Sequence, residues 1–437
     1  MQQEAHGISP FAPAPEAPLR RALNIVREEV ERALPEFDRM LATDTSFPPG
    51  AGYGAFADLM EALFAPLGFG FRRILTPEPL WRAAGGPAEG ARVNLIAAPP
   101  AAAPRRCGLY FHTDTVPPAP GWTRDPFRLT REGDALHGLG AADMKGAILA
   151  TLAALRAAAA TALPLAYDPV LLFCADEEGG LYPGVRHLAE QGELPAHLIN
   201  FNGGPAPRIW AGCFGSFSLL ARLEGRAGHS ASGAGVNAIE AAAPILAAIA
   251  ALKERVAARA SALPPPPGSG PLRPSLSLAA AHGGTCGGQI PARFDLVIAR
   301  RYAPEEDFDA ARAEIETAIR ANTPEGVGVT IDLIGHLCPT ADADGPHWPR
   351  WRAAMGRGFG YAEADFVRYG SASASDFGWV QRATGRNEAI LAGLSGAGRN
   401  GHAPEEHTTI ADVAALARAL LAYLARDFAP GLMPADA

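Results

Sequence analysis

The sequence predicts an α/β fold: a mostly parallel sheet flanked by helices, with an inserted ferredoxin-like α+β domain. Three observations predict it. Between residues 92 and 201, short apolar runs alternate with stretches of helical periodicity. From 214 to 334 the texture changes to the order β-α-β-β-α-β. After residue 335 the α/β texture resumes and ends in a long apolar helix. One domain is therefore expected over 1–213 and 335–437, with 214–334 inserted into it.

Each element has its own signal. Residues up to about Pro18, rich in Pro and Ala, read as a mobile arm. From Leu19 to Leu41 the spacing of Leu23, Val26, Val30 and Leu34 predicts an amphipathic helix, and 55–67 repeats that spacing. Strands are expected at 92–97, 107–111, 168–174 and 197–201, with helices at 144–160 and 184–191. In the insert, strands are expected at 217–223, 275–280, 293–301 and 328–334. Helices are expected there at 237–258 and 304–322, with a Pro/Gly loop at 264–274. The last helix spans 410–428. No internal repeat is visible.

Bulk properties narrow the function. The 437 residues are 48% hydrophobic and 19% charged, which suits a large core and not wholesale disorder. A net charge of -8 lacks the basic footprint of a nucleic-acid partner. The five cysteines are scattered without a CxxC spacing, which argues against a disulfide framework and fits a reducing compartment. The N-terminal segment has no basic start followed by an apolar run, so no secretory signal is read. The Ala/Leu-rich stretches 147–162 and 238–252 are too short or interrupted for a membrane span and read as buried helices. A cytoplasmic protein is expected.

Four segments carry chemistry. In GLYFHTD (108–114) an apolar strand delivers His112 and Asp114 to its carboxyl end, where ligands of open α/β sheets bind. His112 can ligate a metal while Asp114 orients the imidazole. In GLGAADMKG (138–146) Asp143 sits where a helix begins, as a ligand, an N-cap or both. In VLLFCADEEGG (170–180) three successive acids end a strand. That arrangement is costly unless a cation or water screens it. One Glu then serves the metal and its neighbour moves protons. In GRNGHAPEE (398–406) His402 offers a second imidazole. With no thiolate in the set, zinc, manganese, cobalt and iron all remain open.

In order and wording these segments resemble the co-catalytic metallopeptidase family of aminoacylases, acetylornithine deacetylases, succinyl-diaminopimelate desuccinylases, glutamate carboxypeptidases and tripeptide aminopeptidases. The resemblance runs from about Leu95 to the C-terminal helix and rests on HTDTVP, ADMKG, DEEGG and GHAPEE. It implies that His112 is a ligand of one metal with Asp114 behind it, and that Asp143 bridges two metals. It makes Glu177 the general base and acid, and Glu178 and His402 the ligands of the other metal. In GRAGHSASGAGVN (225–237) His229 resembles a lid-domain histidine that reaches the partner's active site and supports the oxyanion. A homodimer joined through the insert is implied.

Three departures matter. Where the family places a carboxylate after the next strand, LINFNGGP (198–205) offers Asn202, a weak neutral donor. One tightly bound ion is therefore expected, with the second weak or absent. Gly288 and Ala292 replace an Asn and an Asp of the family's lid motif, and Leu139 replaces an Arg before ADMKG. Thr285, Arg293, Arg301 and Ser375 are expected to meet substrate; of the arginines, Arg301 best matches the family's lid-strand Arg. The expected enzyme is a hydrolase that uses zinc or manganese, with cobalt a further candidate. It would cleave the amide of a small carboxylate-bearing N-acyl amino acid or peptide. The alternatives are an aminohydrolase that releases ammonia from an activated aromatic amine, and a non-catalytic binding protein on the same fold.

Overall fold

The computed structural model describes residues 17–83, 86–100, 105–231 and 234–428. The expected N-terminal arm lies almost wholly outside the described residues. Leu23, Val26 and Val30 turn one face of helix Pro18–Arg32 into the core. The helix expected to run on to Leu41 instead ends at Arg32, and a second helix spans Leu34–Ala42. Pro35 is the physical reason. In the first turn of a new helix its missing N–H costs nothing, whereas in mid-helix it would remove a hydrogen bond and clash.

The central sheet has six strands in the order Gly70–Thr76, Arg92–Ala98, Asp168–Cys174, Arg106–His112, Leu198–Asn200, Ile390–Leu391. The last three pairings are parallel, and the two involving Arg92–Ala98 are antiparallel. Asp168–Cys174 is buried along its whole length, which is why it reads as a continuous apolar run. Strand Gly70–Thr76 was not expected; it is a largely exposed edge with no clean alternation. Helices Pro18–Arg32, Lys145–Ala160 and Ile410–Leu424 pack on one another in the main core.

The insert forms a four-stranded antiparallel sheet in the order Ser275–Gly283, Arg293–Tyr302, Gly215–Glu224, Gly328–Leu337. Helices Ala238–Ala257 and Phe308–Ala321 touch each other and pack with this sheet. Their core, including Leu219, Ile249, Ile298 and Ile315, is separate from the main one. No helix among the described residues is long and apolar enough to cross a membrane. The carboxyl ends of the adjacent parallel strands at 106–112, 168–174 and 198–200 come to one rim, which gathers His112, Glu177, Glu178 and Asn202.

Candidate metal centre

His112 ends its strand with its side chain buried. Its Nε2 lies 3.1 Å from Asp143 Oδ1. Its Nδ1 lies 3.0 Å from the Asp114 main-chain carbonyl and 3.7 Å from the Asp114 carboxylate. Asp114 therefore stands behind the imidazole mainly through its backbone, while its Oδ2 accepts the Glu178 N–H at 2.7 Å. Asp143 does not cap the following helix, whose N-cap is Met144 without a side-chain bond. Its carboxylate is turned to the imidazoles instead: Oδ2 is 3.6 Å from His402 Nε2. That same nitrogen is 3.1 Å from Glu178 Oε1. One donor atom from each of His112, Asp143 and Glu178 falls within a 4.8 Å group.

Two buried carboxylates hold this arrangement. Glu406 accepts the N–H groups of Gly140, Ala142 and Asp143 at 2.9, 2.9 and 3.0 Å, so the segment bearing His402 also fastens the Asp143 loop. Gly140 makes that loop possible. Its φ is +81°, and a Cβ there would lie 2.7 Å from Thr115. Asp176 turns away from the centre. Its Oδ2 pairs with Arg92 Nε at 2.7 Å and its Oδ1 accepts the Tyr53 hydroxyl at 2.8 Å. The costly triplet of acids is thus relieved by a buried arginine as well as by the imidazoles.

Glu177 is 5% exposed, and its Oε1 accepts Asn202 Nδ2 at 2.7 Å. Asn202, expected as a weak ligand, directs its amide to Glu177. A polar chain continues below: Asn200 Oδ1 accepts the Asn202 N–H at 2.8 Å, and Asn200 Nδ2 donates to Ser375 Oγ at 3.2 Å. The Tyr110 hydroxyl donates to Asp376 beside it.

The charges lie where a cation would be balanced. Hydrogen bonding to the Asp143 and Glu178 carboxylates raises His402 to about 11. For His112, burial lowers the pKa, but the Asp143 bond and nearby carboxylates outweigh it and hold it well above its ordinary range. Burial pushes Glu177 well above the carboxylate range, and it pushes Asp114 up to about 7. Two imidazoles set among carboxylates mark a place where positive charge is favoured. The N/O donor set fits zinc or manganese.

The centre opens into a cavity of about 590 Å³ lined by Asp143, Glu177, Glu178, Asn202 and His402, and across from them by Arg301 and Ser277 of the insert. Ser375 also lines it. Thr285, Arg293 and His229 do not line the cavity of their own chain. Arg293 is bonded to Asp295 at 2.8 and 2.6 Å. His229 is exposed on the short strand Gly228–His229, paired with Gln289–Ile290. Arg92, Tyr53 and Glu406 were not foreseen. Their partners lie far away in sequence, and only Glu406 falls inside a segment already singled out.

The model of Peptidase family M20/M25/M40 matches residues 108–426, which take in all four segments and the insert. The chain belongs to this family. Among M20 relatives it is 40% identical over 139 residues to the succinyl-diaminopimelate desuccinylase of Sphingopyxis alaskensis, covering 31% of this chain and 33% of that one. It is 38% identical over 204 residues to the acetylornithine deacetylase of Klebsiella pneumoniae, covering 45% of this chain and 50% of that one. The matched part thus spans half or less of these curated relatives. Among solved structures, the di-peptidase Dug1p of Saccharomyces cerevisiae shares the fold at a TM-score of 0.75 and 15% identity, covering 92% of this chain and 98% of that one. The M20 family metallo-carboxypeptidase Sso-CP2 of Sulfolobus solfataricus does so at 0.67 and 18%, covering 90% and 98%.

Proposed function

We propose that this M20 chain is a metal-dependent hydrolase that cleaves the amide of a small, carboxylate-bearing N-acyl amino acid or peptide. The observation that carries the reading is a buried Glu177 that lines one cavity together with Asp143, Glu178 and His402, with His112 buried behind Asp143. Asp143, Glu178 and His402 would hold one zinc or manganese ion firmly, with cobalt a further candidate. A second ion at His112 would be weak or absent, because Asn202 is neutral and already bonded to Glu177. When bound, the cation supplies Lewis acidity and makes a water easier to deprotonate near neutral pH.

The chain's own residues do the rest. Glu177 takes the proton from the attacking water and returns it to the leaving nitrogen. Its high proton affinity, caused by burial, suits a group that must hold that proton between the two steps. Asn202 fixes the orientation of the carboxylate through Oε1. Arg301, with a guanidinium that forks well onto carboxylates, would anchor the acid end of the substrate, and Ser375 would line its other side. We further propose that 214–334 acts as a lid and joins two copies, with His229 serving the partner's site.

The test is a panel of N-acyl amino acids and small peptides offered to metal-loaded protein, reading free amine and ammonia separately. Amine release that falls at least about 100-fold in Glu177→Gln supports the proposal. Ammonia without a carboxylic acid product would instead favour the aminohydrolase reading, to which the Asn202 replacement lends some support. No turnover, with metal content unchanged in Glu177→Gln, would leave a binding protein.

A further inference from the structure

Among the described residues three arginines line the cavity, and one of them is neutralised within the chain. Arg300 Nη2 pairs with Glu306 at 2.6 Å. Arg301, on the insert, and Arg208, which precedes it, form no ion pair with a carboxylate among the described residues. The acids that line the cavity, Asp143, Glu177 and Glu178, belong to the metal centre. Arg301 is assigned above to one carboxylate of the substrate. Arg208 is left without a role, and it lies outside every segment that carries the family resemblance.

The fold holds Arg208 in place. It begins strand Arg208–Cys213, which pairs in parallel with Val367–Ser371. Its Nε donates to the Tyr369 main-chain carbonyl at 3.1 Å, and its guanidinium carbon lies 4.6 Å from the centre of the Tyr369 ring. Its Nη2 is buried without a hydrogen-bond partner. Side chains two apart on a strand share a face, so Trp210 stands beside it. Trp210 is 1% exposed and lines the same cavity, and its Nε1 is likewise buried without a partner. Two donors in one stretch of wall thus lack acceptors, and one of them carries a charge that is costly to desolvate alone. The thiol of Cys213, which also lines the cavity, lies within electrostatic reach of both Arg208 and Glu177. A molecule held at Glu177 can therefore extend to Arg208.

We propose that Arg208 is a specificity-determining residue that pairs with a second carboxylate on the substrate, with Trp210 as the wall beside it. The inference rests on the amide-hydrolase reading and names its substrate class: N-acyl amino acids or small peptides with two acid groups, one for Arg301 and one for Arg208. A singly acidic substrate leaves one guanidinium desolvated and unpaired. A doubly acidic one removes that cost and gains a charge-assisted bond to a group already oriented by Tyr369. The second acid can sit on the acyl group or on the amino-acid side chain, and its chemistry at Arg208 is the same.

The test compares N-acetylleucine, with one carboxylate, against N-succinylleucine and N-acetylglutamate, which carry a second on the acyl side and on the amine side. Wild type should prefer at least one doubly acidic compound by about 10-fold or more in kcat/KM. In Arg208→Met that preference should fall about 10-fold or more, chiefly through KM. Arg208→Lys keeps the charge without the fork, should retain part of the preference, and serves if Arg208→Met does not fold. The compound whose advantage is lost identifies the side of the second acid. Calorimetric binding of the same compounds to metal-loaded Glu177→Gln protein, with and without Arg208→Met, needs no turnover. There the preferred compound should bind about 10-fold more tightly than N-acetylleucine, and Arg208→Met should remove the difference. If no amide is cleaved but this binding preference holds, the hydrolase reading falls and Arg208 keeps its anion. If amides are cleaved without a preference, or with one that Arg208→Met does not change, the Arg208 proposal falls alone. No preference in either assay overturns it as well.

Discussion

Arg92 is fully buried, with its guanidinium 4.0 Å from the centre of the Trp81 ring and its Nε on Asp176. Removing one partner of such a pair strands the other charge in the interior. Arg92→Met is therefore expected to cost about 3–5 kcal/mol in urea unfolding. Arg92→Met with Asp176→Asn should recover part of that loss, because no charge is then left unpaired. Asn202 permits a second test. Asn202→Asp adds a carboxylate to the cavity that Asp143 also lines and removes the amide donor from Glu177. Bound metal should rise from one ion per chain in the cavity towards two, read by elemental analysis, with turnover reduced. His112, Asp143, Glu178 and His402 were legible because each ends an apolar run or stands in a distinctive short segment. Arg92 and Tyr53 were not, since their partner Asp176 is 84 and 123 positions away and nothing local marks the pairing.

At the scale of elements, periodicity located the buried strands and the long helices well. It failed where an element has little buried face, as at Gly70–Thr76, and where a single Pro35 restarts a helix. Strand Gly328–Leu337 also holds a group that periodicity could not reveal. His336 stacks on Phe308 at 3.9 Å and shares a 2.9 Å hydrogen bond with the Tyr302 hydroxyl. Burial, aided by Arg186, Arg382 and Arg312, pushes it down to about 4 from an ordinary 6.5. The folded state thus binds this proton less tightly than the unfolded chain. The stability contribution is full above pH 6.5 and is lost as pH falls towards 4, by roughly 3 kcal/mol in all. His336→Gln should flatten the decline of the urea midpoint over this interval while leaving the decline caused by carboxylates in place.

The whole molecule poses a question of assembly. Strand Ser275–Gly283 lies at an edge of the insert's sheet, with Leu278 45% exposed and Ile239 of the neighbouring helix 39% exposed. Open edges of this kind invite pairing unless something covers them. His229 and Thr285 stand outside the cavity of their own chain, and the proposed second copy would bring them to an active site. A two-fold pair built on the insert would cover the edge and lend each cavity the other chain's imidazole. The expected mass in solution is twice that of the chain. His229→Ala should lower kcat by about 100-fold or more, the scale for losing one oxyanion donor. A mixed population decides between action within a chain and action across the pair. Co-expressed His229→Ala and Glu177→Gln chains form hybrids in which one cavity has an intact Glu177 and receives an intact His229 of the partner. If the two species pair at random, half the dimers are hybrids with one working site each, and activity should return to about a quarter of wild type. If His229 served its own chain, every cavity in the mixture would lack one of the two groups. Activity would then stay at the level of the separate variants.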